Sequence, residues 1–148
     1  MARKIQKKGK WTGVCSMGHL QSPIPLFKRL SYHIELPALK FRNFHELQNV
    51  KVENTGFTIR CTFPNTCHCD RPKICGGGLV RNYTLNHIHF HWPGEHFLDG
   101  IRYDLEMHCV FYADRYGTFE NALEHPYGIT VMAILLLLSP PGGLEAFC

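Results

Sequence analysis

The sequence predicts a mainly β protein, and three observations carry that reading. No stretch keeps a 3.6-residue apolar period long enough for an ordinary helix. Proline, glycine and aromatic residues are spread along the whole chain, which favours short strands joined by turns. Three runs, Leu85–Trp92, Arg102–Tyr112 and Ile129–Leu138, are dense in aromatic, β-branched and other apolar side chains. At 148 residues the chain has single-domain length and can bury a core.

Taken in order, residues 1–10 carry Arg3, Lys4, Lys7, Lys8 and Lys10, much of the formal net charge of +4. They read as a basic flexible tail that water solvates. No apolar segment follows the basic residues, so no secretory signal is visible. The chain as written therefore reads as cytoplasmic, and an extracellular location would follow only from an incomplete N-terminus. Nothing else resembles a nucleic-acid module, so nucleic acid is not an expected partner. Trp11 to Gly18 reads as a loop and Gln21 to Leu26 as a proline-broken segment. Ile34–Leu36, Lys40–Phe44, Val50–Glu53 and Phe57–Phe63 read as short strands between Pro, Asn and Gly signals. Cys67 to Gly78 is a turn-rich insert. After Leu85–Trp92 and Arg102–Tyr112, Thr118 to Leu123 reads as one helical turn. Ile129–Leu138 spans ten residues, too few for a membrane-crossing helix, and is expected to be a strand buried on both faces. Only Ser139 to Cys148 follow it, so the chain is expected to stop before supplying all of that strand's neighbours.

The chemistry concentrates in His87-Ile88-His89-Phe90-His91-Trp92 and Leu105-Glu106-Met107-His108. At period two, His87, His89 and His91 share one face of a strand, with Ile88, Phe90 and Trp92 on the other. Between the two runs, Pro93 to Gly100 can reverse the chain. Antiparallel pairing would then bring His89, His91 and His108 to one point. Three neutral imidazoles with an open fourth position suit a catalytic zinc rather than a structural one. A ligand histidine needs its other ring nitrogen tied to a carboxylate or carbonyl. Glu106, on the same face as His108, and Glu95, beside His96, are the candidates.

These residues resemble the core of the α-carbonic anhydrases: Ile88-His89-Phe90-His91-Trp92, Gly94-Glu95-His96, Asp99-Gly100, Tyr103 and Glu106-Met107-His108. Gln21-Ser22-Pro23-Ile24, Asn54-Thr55-Gly56, Gly76-Gly77-Gly78-Leu79, Tyr83-Thr84-Leu85, Tyr116-Gly117 and Pro126-Tyr127-Gly128-Ile129 extend the likeness in order, from about Trp11 to Leu138. The resemblance implies a central twisted, largely antiparallel β-sheet whose C-terminal part is missing, so that residues 11–148 form a partial α-carbonic anhydrase domain. It implies a zinc lyase: Zn²⁺ on His89, His91 and His108, with a zinc-bound hydroxide converting CO₂ reversibly to bicarbonate. By position, Glu106 would brace His108, Glu95 would orient a threonine hydroxyl, and Val110 and Val131 would line an apolar CO₂ pocket.

Departures from the family pattern define the alternative, a catalytically weak or inactive carbonic-anhydrase-related zinc-binding protein. The family's threonine-containing LTTPP-like element is absent. Phe57 stands where fast members carry a proton-shuttling histidine, and His87 replaces the glutamine that usually supports the first ligand. Seven cysteines (15, 61, 67, 69, 75, 109 and 148) cannot all pair internally. Cys15 resembles a position that pairs, in exported members, with a cysteine later in the domain. Cys67-His68-Cys69 with Cys75 could hold a structural zinc, but C-x-C is tighter than the usual spacing. The expectation there is a loop of local disulfides or free thiols.

Overall fold

The computed structural model describes Met17 and residues 22–46, 48–139 and 143–147. The basic tail, Trp11, Cys15, Gln21 and Cys148 lie outside the described residues. Eleven strands and one α-helix are found among the described residues: β1 (Pro25–Leu26), β2 (Lys40–Arg42), β3 (Lys51–Asn54), β4 (Ile59–Thr62), β5 (Lys73–Cys75), β6 (Tyr83–His91), β7 (Phe97–Leu98), β8 (Ile101–Arg102), β9 (Leu105–Ala113), α1 (Phe119–Leu123), β10 (Ile129–Ser139) and β11 (Gly143–Phe147). The large sheet runs β11-β10-β9-β6-β4-β3, with β5 also on β6 and β2 on β5. Every pairing in it is antiparallel. The expected mainly β, largely antiparallel architecture is therefore the one observed.

Its central pair, β6 and β9, is strong because both nine-residue strands carry an apolar face that packs on one core. Phe63, Ile74, Tyr83, Leu85, Cys109, Phe111 and Ala113 form that core, with Ile88, Met107 and Met132 packed against it. Along β6 the apolar phase switches. Tyr83 and Leu85 face the core at odd positions, Ile88 at an even one. A bulge between Leu85 and His87 leaves Asn86 without a partner and absorbs the switch. Leu85 opposes Phe111 and Ile88 opposes Cys109 on the core side, while His87, His89 and His91 oppose Val110, His108 and Glu106 on the other.

The smaller sheet sets the connection between those strands. β7 and β8 form a hairpin about Asp99-Gly100, both at positive φ (51° and 83°), as a two-residue Asp-Gly turn requires. β1 joins β7 in parallel. The Asp99 amide donates to the Leu26 carbonyl (2.8 Å), and Asp99 Oδ1 accepts from the Lys28 amide (2.8 Å). α1 starts where Thr118 accepts a hydrogen bond from the Asn121 amide (3.2 Å), a side-chain N-cap.

Several sequence expectations are corrected. Ile34–Leu36 is not a strand, because no ladder partner lies beside it; Pro37 follows directly, and Ile34 and Leu36 stay exposed. The insert Cys67 to Gly78 contains β5, whose partners β2 and β6 are distant in sequence. The run Arg102–Tyr112 is divided: Arg102 ends β8 and β9 begins at Leu105. Phe57 precedes β4 and is exposed. β10 is not buried on both faces, since Val131 is 49% and Leu138 64% exposed. β9 pairs with it over Ile129–Leu136 and β11 over Leu135–Ser139, so only Leu135 and Leu136 have a ladder partner on both sides among the described residues. Among the described residues no helix is long and apolar enough to cross a membrane.

Candidate metal centre

His89 and His91 stand on β6 and His108 directly opposite His89 on β9, so strand register brings the three rings together. Their centroids lie 5.0 Å (His89–His91), 5.2 Å (His89–His108) and 4.6 Å (His91–His108) apart. One ligand nitrogen from each lies within 4.8 Å of the other two. A tetrahedral zinc at 2.0–2.1 Å from each nitrogen needs them roughly 3.4 Å apart, which small ring rotations would achieve. Burial first, then the charges of His108 and His91, push His89 down to about 4. Burial also lowers His91. Both are therefore neutral near pH 7, the form in which imidazole offers a lone pair to a metal. The donor set and its spacing fit zinc.

Behind His108 lies a buried carboxylate. Glu106 is 0% exposed and accepts four hydrogen bonds. Oε2 takes the backbone amides of Glu95 (2.7 Å) and His96 (2.8 Å), and Oε1 lies 2.5 Å from His96 Nδ1 and 2.6 Å from His108 Nε2. Burial alone would raise the Glu106 carboxyl, but these donors, the His96 amide foremost, hold it down at about 2. An ionised carboxylate only accepts, so both imidazoles must donate to it. His108 then carries a proton on Nε2, so that in the neutral ring Nδ1 is the nitrogen left for a ligand role. Ser22 Oγ lies 3.2 Å from His96 Nε2, closing the chain Ser22–His96–Glu106–His108. The close-lying ligand atoms of His96, Glu106 and His108 are this same hydrogen-bonded set.

Glu106 thus lies against His108 and His96. Glu95 lies with Oε1 3.4 Å from His91 Nδ1, beside a second ring of the cluster. His87 is apart from the three. Its ring stacks on His89 at 5.3 Å, but its Nδ1 meets Asn86 Oδ1 (2.7 Å) and Arg60 Nη2 (3.4 Å). Val131 opposes Val110 in register on the histidine face, with Val110 buried and Val131 half-exposed. A cavity of about 300 Å³ opens beside His108, lined by Ser22, Pro23, Glu95, His96, Val131 and Ala133. Two members of this set, His96 and Ser22, were missed as functional residues. An ionisable Glu-His pair just after a histidine-rich strand was the available signal for His96, and the Gln21-Ser22-Pro23-Ile24 likeness the available one for Ser22. In the Cys67 cluster, Cys67, Cys69 and Asp70 converge, while His68 stands apart against the Tyr112 ring at 5.8 Å. Cys75 belongs to β5 and is not among the converging ligand atoms. Cys61, Cys67, Cys69, Cys75 and Cys109 are all free thiols.

The family model for eukaryotic-type carbonic anhydrase matches residues 6–143 of this chain. Carbonic anhydrase 3 of Sus scrofa is 33% identical over 133 residues, covering 85% of this chain and 50% of the relative. Carbonic anhydrase 6 of Bos taurus is 33% identical over 129 residues, covering 80% and 39%. Carbonic anhydrase 3 of Homo sapiens is 36% identical over 96 residues, covering 61% and 36%. The chain spans about half the length, or less, of the curated relatives it matches.

Proposed function

This chain belongs to the eukaryotic-type carbonic anhydrase family, whose activity is zinc-dependent hydration of CO₂, and on that footing we propose that it carries the metal-binding part of such an enzyme. In this reading His89 and His91 from β6 and His108 from β9 hold Zn²⁺, and the substrates are CO₂ and bicarbonate. The observation that carries the reading is the Glu106 hydrogen-bond set, which leaves Nδ1 of the neutral His108 ring for a ligand role beside two neutral imidazoles. Zinc held by three imidazoles with one position open supplies a Lewis acid that makes water nucleophilic near neutral pH, as it does in this family itself.

The chain's own residues do the rest. Glu106 keeps the His108 tautomer, and the Glu95 and His96 amides keep Glu106 charged. His96 is steadied in turn by Ser22. Val110 and Val131 give the histidine face an apolar flank where a non-polar gas can dissolve. Glu95, beside His91, is the carboxylate best placed to orient a hydroxyl near the open position.

The absence of a side chain able to carry protons at Phe57 favours a slow catalyst over a fast one. Zinc content per folded chain tests the reading. The parent should hold one zinc, and His108→Ala should lose it together with any CO₂ hydration. Tight stoichiometric zinc in His108→Ala would end the ligand assignment.

A further inference from the structure

Away from the histidines, the turn from Cys67 to Asp70 brings two thiols together. The Asp70 amide donates to the Cys67 carbonyl (3.0 Å), closing a four-residue turn. Across it the Cys69 thiol donates to Cys67 Sγ at 2.7 Å. Other parts of the fold hold this turn in place. Asn43 Nδ2 donates to the Cys69 carbonyl (2.9 Å) and Gln48 Nε2 to the Asp70 carbonyl (3.1 Å). The Arg71 guanidinium donates to the carbonyls of Phe63 (2.9 Å) and Thr66 (3.3 Å). Both thiols are exposed, whereas Cys61 and Cys75 are partly buried and Cys109 is buried. Beside Cys67 opens a polar cavity of about 360 Å³ lined by Asn43, Glu46, Gln48, Asn65, Thr66 and Asp70.

The spacing selects among the uses of two thiols. Two thiolates on one tetrahedral zinc, each at about 2.3 Å, stand roughly 3.8 Å apart. A disulfide brings two sulfurs to about 2.05 Å. Among the described residues only Asp70 joins the pair as a further ligand, which leaves the set one short of a closed tetrahedral zinc site, whereas the two sulfurs are already in contact, as a disulfide requires.

We propose that Cys67 and Cys69 form a thiol–disulfide exchange site that reduces small polar disulfides and is left as an intramolecular Cys67–Cys69 disulfide. The Cys67 thiolate attacks one sulfur of the small disulfide, the S–S bond breaks, and one small thiolate leaves and takes a proton from water. Cys69 gives its proton to solvent and attacks the Cys67 sulfur of the mixed disulfide, releasing the second small thiol. One disulfide is reduced to two thiols, and two protein thiols are oxidised to one disulfide. The roles follow from the asymmetry of the pair. The hydrogen bond from Cys69 lowers the Cys67 thiol, and the same bond is the main cause that pushes Cys69 up to about 11.

The test is peptide mapping of the full 148-residue chain after brief exposure to a slight excess of oxidised glutathione. Residues 67–69 should lose two hydrogens as a closed disulfide before glutathione appears on Cys61, Cys75 or Cys109. Cys69→Ser should lose the closed product and accumulate the mixed disulfide on Cys67, and Cys67→Ser should lose both. First modification at Cys61, Cys75 or Cys109 would overturn the proposal. So would a mixed disulfide that persists on Cys67 of the parent, or a metal ion retained by the pair that blocks oxidation.

Discussion

Replacing Glu106 by glutamine tests the proposed metal centre at its most specific point. The side chain keeps its length and loses its charge, so the outcome turns on hydrogen bonds alone. Oε2 receives two backbone amides, from Glu95 and His96, which cannot change their role as donors. The glutamine oxygen must therefore take that position, where its two lone pairs satisfy both amides. The amide nitrogen then faces His96 Nδ1 and His108 Nε2, which lie 2.5 and 2.6 Å from Oε1 in the parent. It can only donate, so each ring must become an acceptor at that nitrogen. His108 then carries its proton on Nδ1, the atom assigned to the metal. The fold keeps its hydrogen bonds while the ligand is held in the wrong tautomer. Loss of such a partner costs about 10–100-fold in metal affinity, a range this family helped to define, or roughly 1.4–2.7 kcal/mol. Glu106→Ala differs, because it leaves two part-buried amides without their acceptor, at up to about 1–3 kcal/mol of stability each. The assay pairs zinc competition against a chromogenic chelator at pH 7 with urea unfolding of the metal-free protein. Glutamine should weaken zinc binding with little change in the unfolding midpoint, and alanine should lower both. A Glu106→Gln protein that holds zinc within twofold of the parent would refute the tautomer argument. Zinc loss that merely tracks unfolding would refute it equally.

Three further outcomes are expected. Phe111 is fully buried in the shared core, so Phe111→Ala should destabilise by about 3–5 kcal/mol, read from the urea midpoint at unchanged slope. The Thr84 hydroxyl is fully buried and donates to Asp114 Oδ1, while Lys73 Nζ holds Oδ2 at 3.2 Å. Thr84→Val should therefore cost about 1–2 kcal/mol, since Asp114 keeps one of its two partners. If the hydration activity is present, Phe57 supplies no proton route, so added imidazole buffer should raise the maximal rate; a rate indifferent to buffer would count against that reading.

The geometry of the three-histidine cluster was legible because it depends on two local quantities. Strand periodicity put the three histidines of β6 on one face, and Pro93 to Gly100 announced the reversal that sets β9 beside it. What stayed hidden rests on pairings between distant segments. β5 is three residues long, too short for a period, and is a strand only because β2 and β6 flank it. β10 misled for the opposite reason. A ten-residue run that is apolar but for Thr130 carries no alternation, so nothing in it separates one-faced from two-faced burial. The phase switch in β6 was present in the letters, with Tyr83 and Leu85 apolar at odd positions and Ile88 and Phe90 at even ones. It becomes meaningful once the ladder shows the bulge that absorbs it.

His96 and Ser22 extend this argument to how far a site reaches into its scaffold. Neither contributes a ligand to the three-histidine cluster, yet the proton on His108 is placed through them. Their positions come from the small sheet. β1 brings Ser22 alongside, β7 and β8 return the chain from β6 to β9, and Asp99 ties the two together through Leu26 and Lys28. Gly94 binds the returning segment down, its amide to the Tyr103 carbonyl (2.9 Å) and its carbonyl to Arg102 Nε (2.6 Å). The Glu95 and His96 amides can reach Glu106 only because that segment is held in this path. A change at Asp99-Gly100, where positive φ makes the turn, should therefore act on the three-histidine cluster through the direction of two backbone amides. No histidine need move for the site to lose its tautomer control.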